Sequence, residues 1–239
     1  MRVGASLYFR HQLKYNFMRN IFISTTFLLL SLTAFSQEET QTKNQKNHLF
    51  FHLGPSFPVG DFLSKTLTNT EAGFAQTGLS LDMSYLRSID DNFGIAVSAF
   101  YNMNGLDIKK VEQEYGITGV KADHWQYIGL TAGPVFTIPA SDKTKIDFKV
   151  MGGIATANSP EINYDGTLAV KEDWATSAVF QAGAGLRTDV SSKLIFFGGL
   201  DYKYLRPSFA VVAGTGEVGE NAKQRMSTLN LTVGLGFRF

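Results

Sequence analysis

The chain has 239 residues, 22 basic and 21 acidic, with 23 glycines, 20 phenylalanines and no cysteine. This length allows one large domain or two small ones, and 44% hydrophobic with 18% charged residues excludes a disordered polar protein. The lack of cysteine excludes disulfides, thiolate metal sites and a cysteine nucleophile. Beyond residue 36 the chain carries 18 basic and 21 acidic residues, which argues against a nucleic-acid-binding protein.

The first 36 residues have the layout of a secretory signal peptide. Four basic residues and no acid precede Ile21–Leu32, an apolar run too short for a spanning helix of ~20 residues. Ala34 and Ser36 supply the small residues expected just before a cleavage site at Gln37. A buried core helix is the alternative, but a polar stretch follows at once. We therefore expect a signal peptide at 1–36, with Met18 as an alternative start, a periplasmic linker at 37–47 and a barrel domain at 48–239.

The rest of the chain alternates apolar and small or polar residues with a period of two, which predicts β-strands. No extended helical periodicity and no apolar run of 18 residues accompanies the alternation. Eight segments show the pattern, and each is about as long as a tilted strand that crosses a bilayer: 48–57, 78–85, 94–103, 127–136, 146–154, 178–187, 194–204 and 229–239.

Short and long connections alternate between these segments. The short ones lie at 87–92, 139–144 and 189–193, whereas the long polar ones lie at 58–76, 105–123, 158–175 and 206–226. Four long unstructured loops are unusual in a compact soluble domain, but they are typical of a membrane barrel with short periplasmic turns and long outer loops. The sequence therefore predicts an all-β protein, an eight-stranded antiparallel up-and-down transmembrane β-barrel. Within the last long loop, 213–217 is expected to be a flexible tip.

The two faces of the predicted strands differ in polarity. One face is almost entirely aliphatic or aromatic, and the other carries glycine, serine, threonine and seven charges. A Lys or Arg near the bilayer midplane costs ~2–4 kcal/mol, so the charged face must line the lumen. The predicted lumen charges are Asp82, Asp147, Lys149, Arg187, Asp201, Lys203 and Arg238. An eight-stranded barrel is narrow enough for side chains to fill it, so we expect a lumen plugged by ion pairs, with Asp147 and Arg187 in contact.

Glycine and proline add two expectations about the barrel wall. Nine glycines on the polar face are expected to leave room for the Lys and Arg side chains. Pro55 and Pro134 each follow a glycine inside a strand and remove a ladder donor, which predicts a local bulge at each.

The chain resembles the eight-stranded outer-membrane β-barrels, the OmpA/OmpX-like group often labelled porin-family proteins. The resemblance covers about 48–239 and depends on PVGDF at Pro58–Phe62, GAGL at Gly183–Leu186 and the ending GLGFRF at Gly234–Phe239. It implies an outer-membrane location, no cofactor and no single activity. It also implies that Phe237 and Phe239 form the signal read by the barrel-assembly machinery.

The histidines of the mature chain are not spaced as a catalytic or metal-binding site. His48 and His52 lie four residues apart on one strand, about 13 Å at ~3.3 Å per residue, which is too far for one metal ion. His52 and Ser56 have the same spacing, so they cannot form a nucleophile–base pair. Acidic loop residues at 112–114, 161–165 and 172–173 allow calcium binding, but solvated loops are the simpler interpretation. We therefore predict no catalytic, cofactor-binding or metal-binding residues.

Three functions remain open. The first is a structural or surface-interaction barrel acting through four long outer loops, and the second is a narrow porin or solute conduit. The third is an envelope lipid-modifying enzyme. The expected partners are outer-membrane lipid and lipopolysaccharide, and the assembly machinery during biogenesis, for a monomer that binds no nucleic acid.

Overall fold

A computed structural model describes residues 46–165, 167–212 and 218–239. The predicted signal peptide and most of the linker lie outside these residues, as does the predicted flexible tip at 213–217. In chain order the strands are β1 (Asn47–Val59), β2 (Ala75–Ser88), β3 (Phe93–Leu106), β4 (Val120–Ala122), β5 (Trp125–Pro139), β6 (Thr144–Asn158), β7 (Ile162–Tyr164), β8 (Thr167–Val170), β9 (Trp174–Asp189), β10 (Leu194–Leu205), β11 (Ser208–Val212), β12 (Val218–Lys223) and β13 (Met226–Arg238). A 3₁₀ turn at Gly60–Phe62 and one helix, α1 (Ile108–Tyr115), complete the elements.

Eight antiparallel strands close into a barrel in the order β1-β13-β10-β9-β6-β5-β3-β2, which confirms the predicted fold. The closing ladder pairs β1 with β13, from His48 opposite Arg238 to Val59 opposite Ser227. Connections of four residues, 89–92, 140–143 and 190–193, join strands at one end, here called the short-turn end. The opposite, long-loop end carries loop L1 (60–74), loop L2 (107–124), loop L3 (159–173) and loop L4 (206–225).

The long loops contain secondary structure that the sequence analysis did not predict. L2 forms α1, whose N-terminus is capped by Asp107 through a bond from Lys110 N, and then β4. β4 pairs with β7 of L3, and β7 pairs with β8, so two loops share a three-stranded sheet. β11 and β12 form a hairpin within L4. No helix in the described ranges is long and apolar enough to span a membrane.

The alternation of faces is as predicted. On β1, Leu53 is 55% exposed, whereas its neighbour His52 is 3% exposed. Large aliphatic side chains form the middle of the exposed outer face, among them Leu81, Leu130, Val150, Leu200, Leu231 and Val233. Outward aromatic side chains lie toward both ends, Phe93, Phe136, Phe196, Phe237 and Phe239 near the short turns and Phe57, Trp174 and Phe180 near the long loops.

The interior is more apolar than the sequence predicted. Toward the short-turn end, a cluster that includes Phe50, Leu86, Ile195 and Phe197 fills the lumen. At the long-loop end a second cluster seals the mouth and includes Phe62, Trp125, Tyr127, Leu205, Phe209 and Met226. Charged and amide side chains occupy the layer between these clusters. The lumen therefore has a core of three layers, with an apolar cluster at each end and a polar layer between them. At each end a few large inward aromatic side chains fill more space than the polar residues around them.

The predicted bulges at Pro55 and Pro134 are wrong. β1 and β13 keep one register across Pro55, since Leu53 pairs with Val233 and Ser56 with Asn230. β5 and β6 likewise keep register across Pro134. Each proline removes a donor without inserting a residue, so the ladder has a gap but no shift. The irregularity lies elsewhere, between Ala75 and Gly78 where β2 meets β3.

The lumen glycines make room mainly for aromatic rings and neighbouring backbone, not for Lys and Arg as expected. A Cβ at Gly236 would lie 2.3 Å from the Phe50 ring, and one at Gly185 would lie 2.6 Å from the Phe197 ring. At Gly54 a Cβ would lie 1.9 Å from the carbonyl oxygen of Leu231 on the adjacent strand. Gly54 therefore allows the two strands of the closing ladder to approach beside Pro55.

We predict that Gly54→Ala destabilises the barrel because the added methyl group collides with backbone that cannot rotate away. Overpacking of this kind costs ~1–3 kcal/mol. The melting temperature of the folded band on a heat-modifiability gel should fall. Gly152→Ala is the matched control, since a Cβ there meets no atom within 4 Å. Equal melting temperatures for the two variants would contradict the prediction.

Candidate functional site

The centre of the lumen is an ion pair between Lys203 of β10 and Asp82 of β2. Lys203 Nζ lies 2.9 Å from Asp82 Oδ1, and the Lys203 side chain is fully buried. Nζ also donates to Asn102 Oδ1 at 3.1 Å and lies 4.3 Å from the centre of the Phe100 ring. Ser80 Oγ donates to the other Asp82 oxygen at 2.9 Å. The network spans the barrel and is supported by hydrogen bonds to both charges, as a buried pair requires.

The other predicted lumen charges also lie in ion pairs. Lys149 Nζ is 2.9 Å from Asp201 Oδ1, and Arg187 Nε is 2.9 Å from Asp147 Oδ2, so the contact expected between those two residues is present. Thr137 joins the latter pair, donating to Asp147 at 2.6 Å and accepting from Arg187 at 3.1 Å.

Sequence reasoning missed the partner of Arg238, because Asp189 was assigned to a short turn. Arg238 Nη2 lies 2.5 Å from Asp189 Oδ1, and Asp189 is the last residue of β9. The alternation that places Arg187 inward also places Asp189 inward, and this signal could have identified it.

The described histidines lie apart from one another, and His52 is the one that contacts hydroxyl groups. The His52 ring contacts Thr232 and Ser84 hydroxyls at 3.2 Å each. Ser56 Oγ donates to Asn104 and not to His52. His124 is exposed in L2, whereas Ser80 is buried in the lumen. Within the described ranges no group of three His, Asp or Glu side chains is arranged to hold a metal ion.

Little free space remains inside the barrel. A cavity of about 40 Å³ lies between the polar layer and the apolar cluster at the short-turn end. His52, Asp147, Lys149 and Phe197 are among its lining residues. Such a volume holds a few water molecules at most. Phe62 of L1 is fully buried at the mouth and packs edge-on against Trp125 with a ring separation of 5.8 Å.

Polar contacts join L1 to the neighbouring loops. Arg225 of L4 lies 2.9 Å from Asp61 and 3.2 Å from Glu71 of L1, and Arg206 also pairs with Glu71. Lys65 of L1 lies 2.5 Å from Asp107 of L2. The hydrogen bond from Lys65 is the main cause that lowers the pKa of Asp107, and the bond from Arg225 similarly lowers the pKa of Asp61.

L3 is joined to the loops on either side of it. The shared sheet of β4, β7 and β8 connects it to L2, and Ala210 N of L4 donates to Asp173 Oδ2 at 2.7 Å. The four loops therefore form one bonded structure, here called the loop cap.

The acidic loop residues serve as acceptors within the cap. Glu112 Oε1 accepts from Val120 N at 3.0 Å, and Glu172 Oε2 accepts from Asn158 at 3.2 Å. The sequence favoured solvated loops, and Glu114 and Asp165 are indeed exposed, whereas these two carboxylates bond within the protein. The cap also has its own apolar cluster, formed by Phe74, Val111 and Val120. Beside that cluster lies a pocket of about 230 Å³ between the loops.

The last residues of the chain complete the closing ladder at the short-turn end. Phe237 pairs with Leu49, and Phe239 exchanges backbone hydrogen bonds with Asn47 at 3.0 and 3.3 Å. Both rings are exposed on the outer face, and Phe239 lies 6.4 Å from the ring of Tyr85.

We predict that Lys203→Met alone destabilises the barrel strongly, because it leaves the Asp82 carboxylate buried without its cation. Removal of one member of such a pair costs about 3–5 kcal/mol. The double variant Lys203→Met/Asp82→Leu should recover most of the loss, since it removes both charges. Thermal unfolding in detergent, followed by circular dichroism, measures both variants, with the exposed Lys143→Met as the control. A double variant no more stable than the single one would contradict this electrostatic explanation.

Comparison with protein-family models gave no match, and comparison with curated protein sequences also gave none. Among solved structures the chain is similar to Neisserial surface protein A, with 14% identity and a TM-score of 0.51 over 81% of this chain and 97% of that one. It is also similar to a major outer membrane protein from Thermus thermophilus, with 10% identity and a TM-score of 0.52 over 81% of this chain and 99% of that one. The chain has the fold of the eight-stranded outer-membrane β-barrels.

Proposed function

We propose that this protein resides in an outer membrane as a monomer and acts there as a surface-interaction barrel rather than as a conduit or an enzyme. The exposed outer face supports the membrane location. Large aliphatic side chains such as Leu53, Val150 and Ile154 are 54–63% exposed around the barrel. A continuous apolar belt of this kind is costly in water, but with aromatic residues at both margins it matches the outer face of membrane barrels.

The filled lumen is the observation that most directly favours a surface-interaction function over solute passage. Apolar clusters close both ends, and ion pairs cross the layer between them. Solute passage would require several buried groups to move together. The loop cap, in contrast, is an extensive bonded structure with an accessible pocket. We therefore place the function at the long-loop end and assign that end to the cell exterior, with lipopolysaccharide and outer-leaflet lipid as its surroundings.

The two alternatives depend on different features. A narrow porin would need a continuous polar path through the lumen, whereas apolar clusters of described residues fill the lumen on both sides of the polar layer. An envelope lipid enzyme would need a nucleophile and a base in contact near the outer leaflet. His52 contacts the Ser84 and Thr232 hydroxyls, but these groups lie in the lumen and not among the long loops, which supports a non-enzymatic role.

We predict that the purified protein forms no stable ion channel in planar lipid bilayers. The charged pairs hold the lumen closed, so the membrane current should stay at the level of protein-free bilayers. The applied voltage spans about ±100 mV, which is about the size of biological membrane potentials. Insertion must be verified in parallel by protease protection of reconstituted vesicles. Discrete conductance steps from the verified, inserted protein would instead support the porin alternative.

We predict that deletion of Phe237–Phe239 impairs assembly, because it removes the last partners of β1 and leaves unpaired backbone groups in hydrocarbon. Each such group costs several kcal/mol. The outer-membrane fraction should lose most of the truncated chain, with degradation or periplasmic accumulation. Phe148→Ala/Phe196→Ala is the matched control, since it removes two outward rings and leaves the closing ladder intact. Normal yield of the truncated chain would argue against the assembly-signal role of Phe237 and Phe239.

A further inference from the structure

We propose that the pocket in the loop cap binds a small amphipathic anion, with an apolar ring or short alkyl group between the loops and the anionic group beside Lys171. The inference rests on the proposed interaction role of the loop cap and names the class of its ligand. The pocket is separate from the lumen ion pairs, which do not line it.

The size and lining of the pocket determine which apolar group of a ligand can fit. Its volume is about 230 Å³, larger than the ~150 Å³ cavity that admits benzene in a protein interior. Side chains from all four loops and from β5 contribute to the wall, principally Phe74, Val111, Trp125, Pro160, Ile162 and Phe209. A ring of six to ten carbons, or an alkyl group of similar size, fits this space and buries its surface against aromatic and aliphatic groups.

The polar groups of the wall set the charge of the ligand. The indole N–H of Trp125 donates to Gly73 O at 2.9 Å, and the Gln224 amide donates to Glu71 O at 2.7 Å. These donors are already used within the cap. Lys171 also lines the pocket and is exposed, so it places a positive charge in the pocket wall.

The carboxylates that follow Lys171 in the chain are held by other groups. Glu172 accepts from Asn158, and Asp173 accepts from Ala210 N. Both carboxylates therefore serve as acceptors at these positions and leave Lys171 as the cationic group of this stretch. Tyr115, which is 59% exposed, also lines the pocket.

The backbone at Phe74 is a second, independent sign of a binding site. Phe74 adopts φ +48°, a left-handed conformation that bulky residues rarely adopt. Hydrogen bonds fix it on both sides, from Phe74 N to Ser64 O at 2.9 Å and from Asp107 N to Phe74 O at 2.8 Å. The conformation directs the Phe74 ring into the pocket wall beside Val111. Strained residues of this kind cluster at ligand sites.

Tryptophan fluorescence tests the proposal directly, because the chain has two tryptophans and only Trp125 lines the pocket. The full chain carrying Trp174→Phe is reconstituted into zwitterionic lipid nanodiscs and titrated with 4-bromobenzoate, a heavy-atom quencher. We expect saturable quenching of Trp125 and weaker quenching by the neutral 4-bromobenzamide. The reciprocal variant, Trp125→Phe with Trp174 retained, reports quencher dissolved in lipid and should show only a linear, unsaturable decrease.

Two matched pairs of variants separate pocket binding from other effects. Binding to the Ala222→Trp variant is followed by ¹⁹F NMR titration with 4-(trifluoromethyl)benzoate. Fluorescence is not used for this variant because the added indole would obscure the signal of Trp125. Ala222 is exposed and lines the pocket, so the large side chain should block binding, whereas Asn221→Trp on the opposite face of β12 should leave it unchanged. Lys171→Gln should weaken benzoate binding about two- to fivefold, as expected for an exposed ion pair, and Lys109→Gln outside the pocket should not.

The outcomes distinguish this inference from the proposed function. Linear quenching of Trp125, or equal effects of the substitutions at 221 and 222, would overturn the pocket assignment. Equal affinity for the benzoate and the benzamide would overturn its preference for an anion. Channel conductance with intact saturable binding would overturn the interaction-barrel proposal while leaving the pocket assignment in place.

Discussion

The closing ladder between β1 and β13 is the constraint on which the rest of the structure depends. A sheet of seven strands would leave two rows of backbone donors and acceptors open, and closure by the eighth satisfies both rows. Closure also fixes which residues face inward, because a shift of one residue in register would exchange the two faces of a strand. Gly54 and Pro55 lie within this ladder, where the strands approach closely and one donor is missing, yet register is kept.

Closure with eight strands leaves little room for solvent inside, so each inward charge must find a partner there. The pairs Lys203–Asp82 and Lys149–Asp201 lie at the centre, and Arg187–Asp147 and Arg238–Asp189 lie toward the short turns. Charges of opposite sign therefore alternate within the lumen, and no stripe of one sign exists among these pairs. A structure of this kind stabilises a closed barrel, because movement of any one side chain would leave its partner buried and unpaired.

The barrel could be predicted from the sequence, but the loop cap could not. Alternation of residues such as His52 and Leu53 is a local signal, repeated in each strand, and it identified both faces. Contacts such as Val120 with Tyr164 or Arg225 with Glu71 join residues 44 to 154 positions apart and have no periodic signature. The prediction of bulges at Pro55 and Pro134 was wrong for a related reason. A missing donor indicates a weak point in a ladder, but it does not determine how the neighbouring strand accommodates it. Asp189 was missed because its residue type favours turns, although its position in the alternation placed it inward.

The hydrogen bonds between Asn47 and Phe239 have a topological consequence. The first and last residues of the described barrel face each other as a pair on adjacent strands, in the manner of residues flanking a hairpin turn. Connections of four residues fill the three other places of this kind at the short-turn end, so the pair Asn47–Phe239 occupies the corresponding place between β1 and β13. A circularly permuted chain, joined there by a few residues and opened at 89–92, would retain every ladder and every lumen contact. In this barrel the order of hairpins along the gene is separable from their order around the ring.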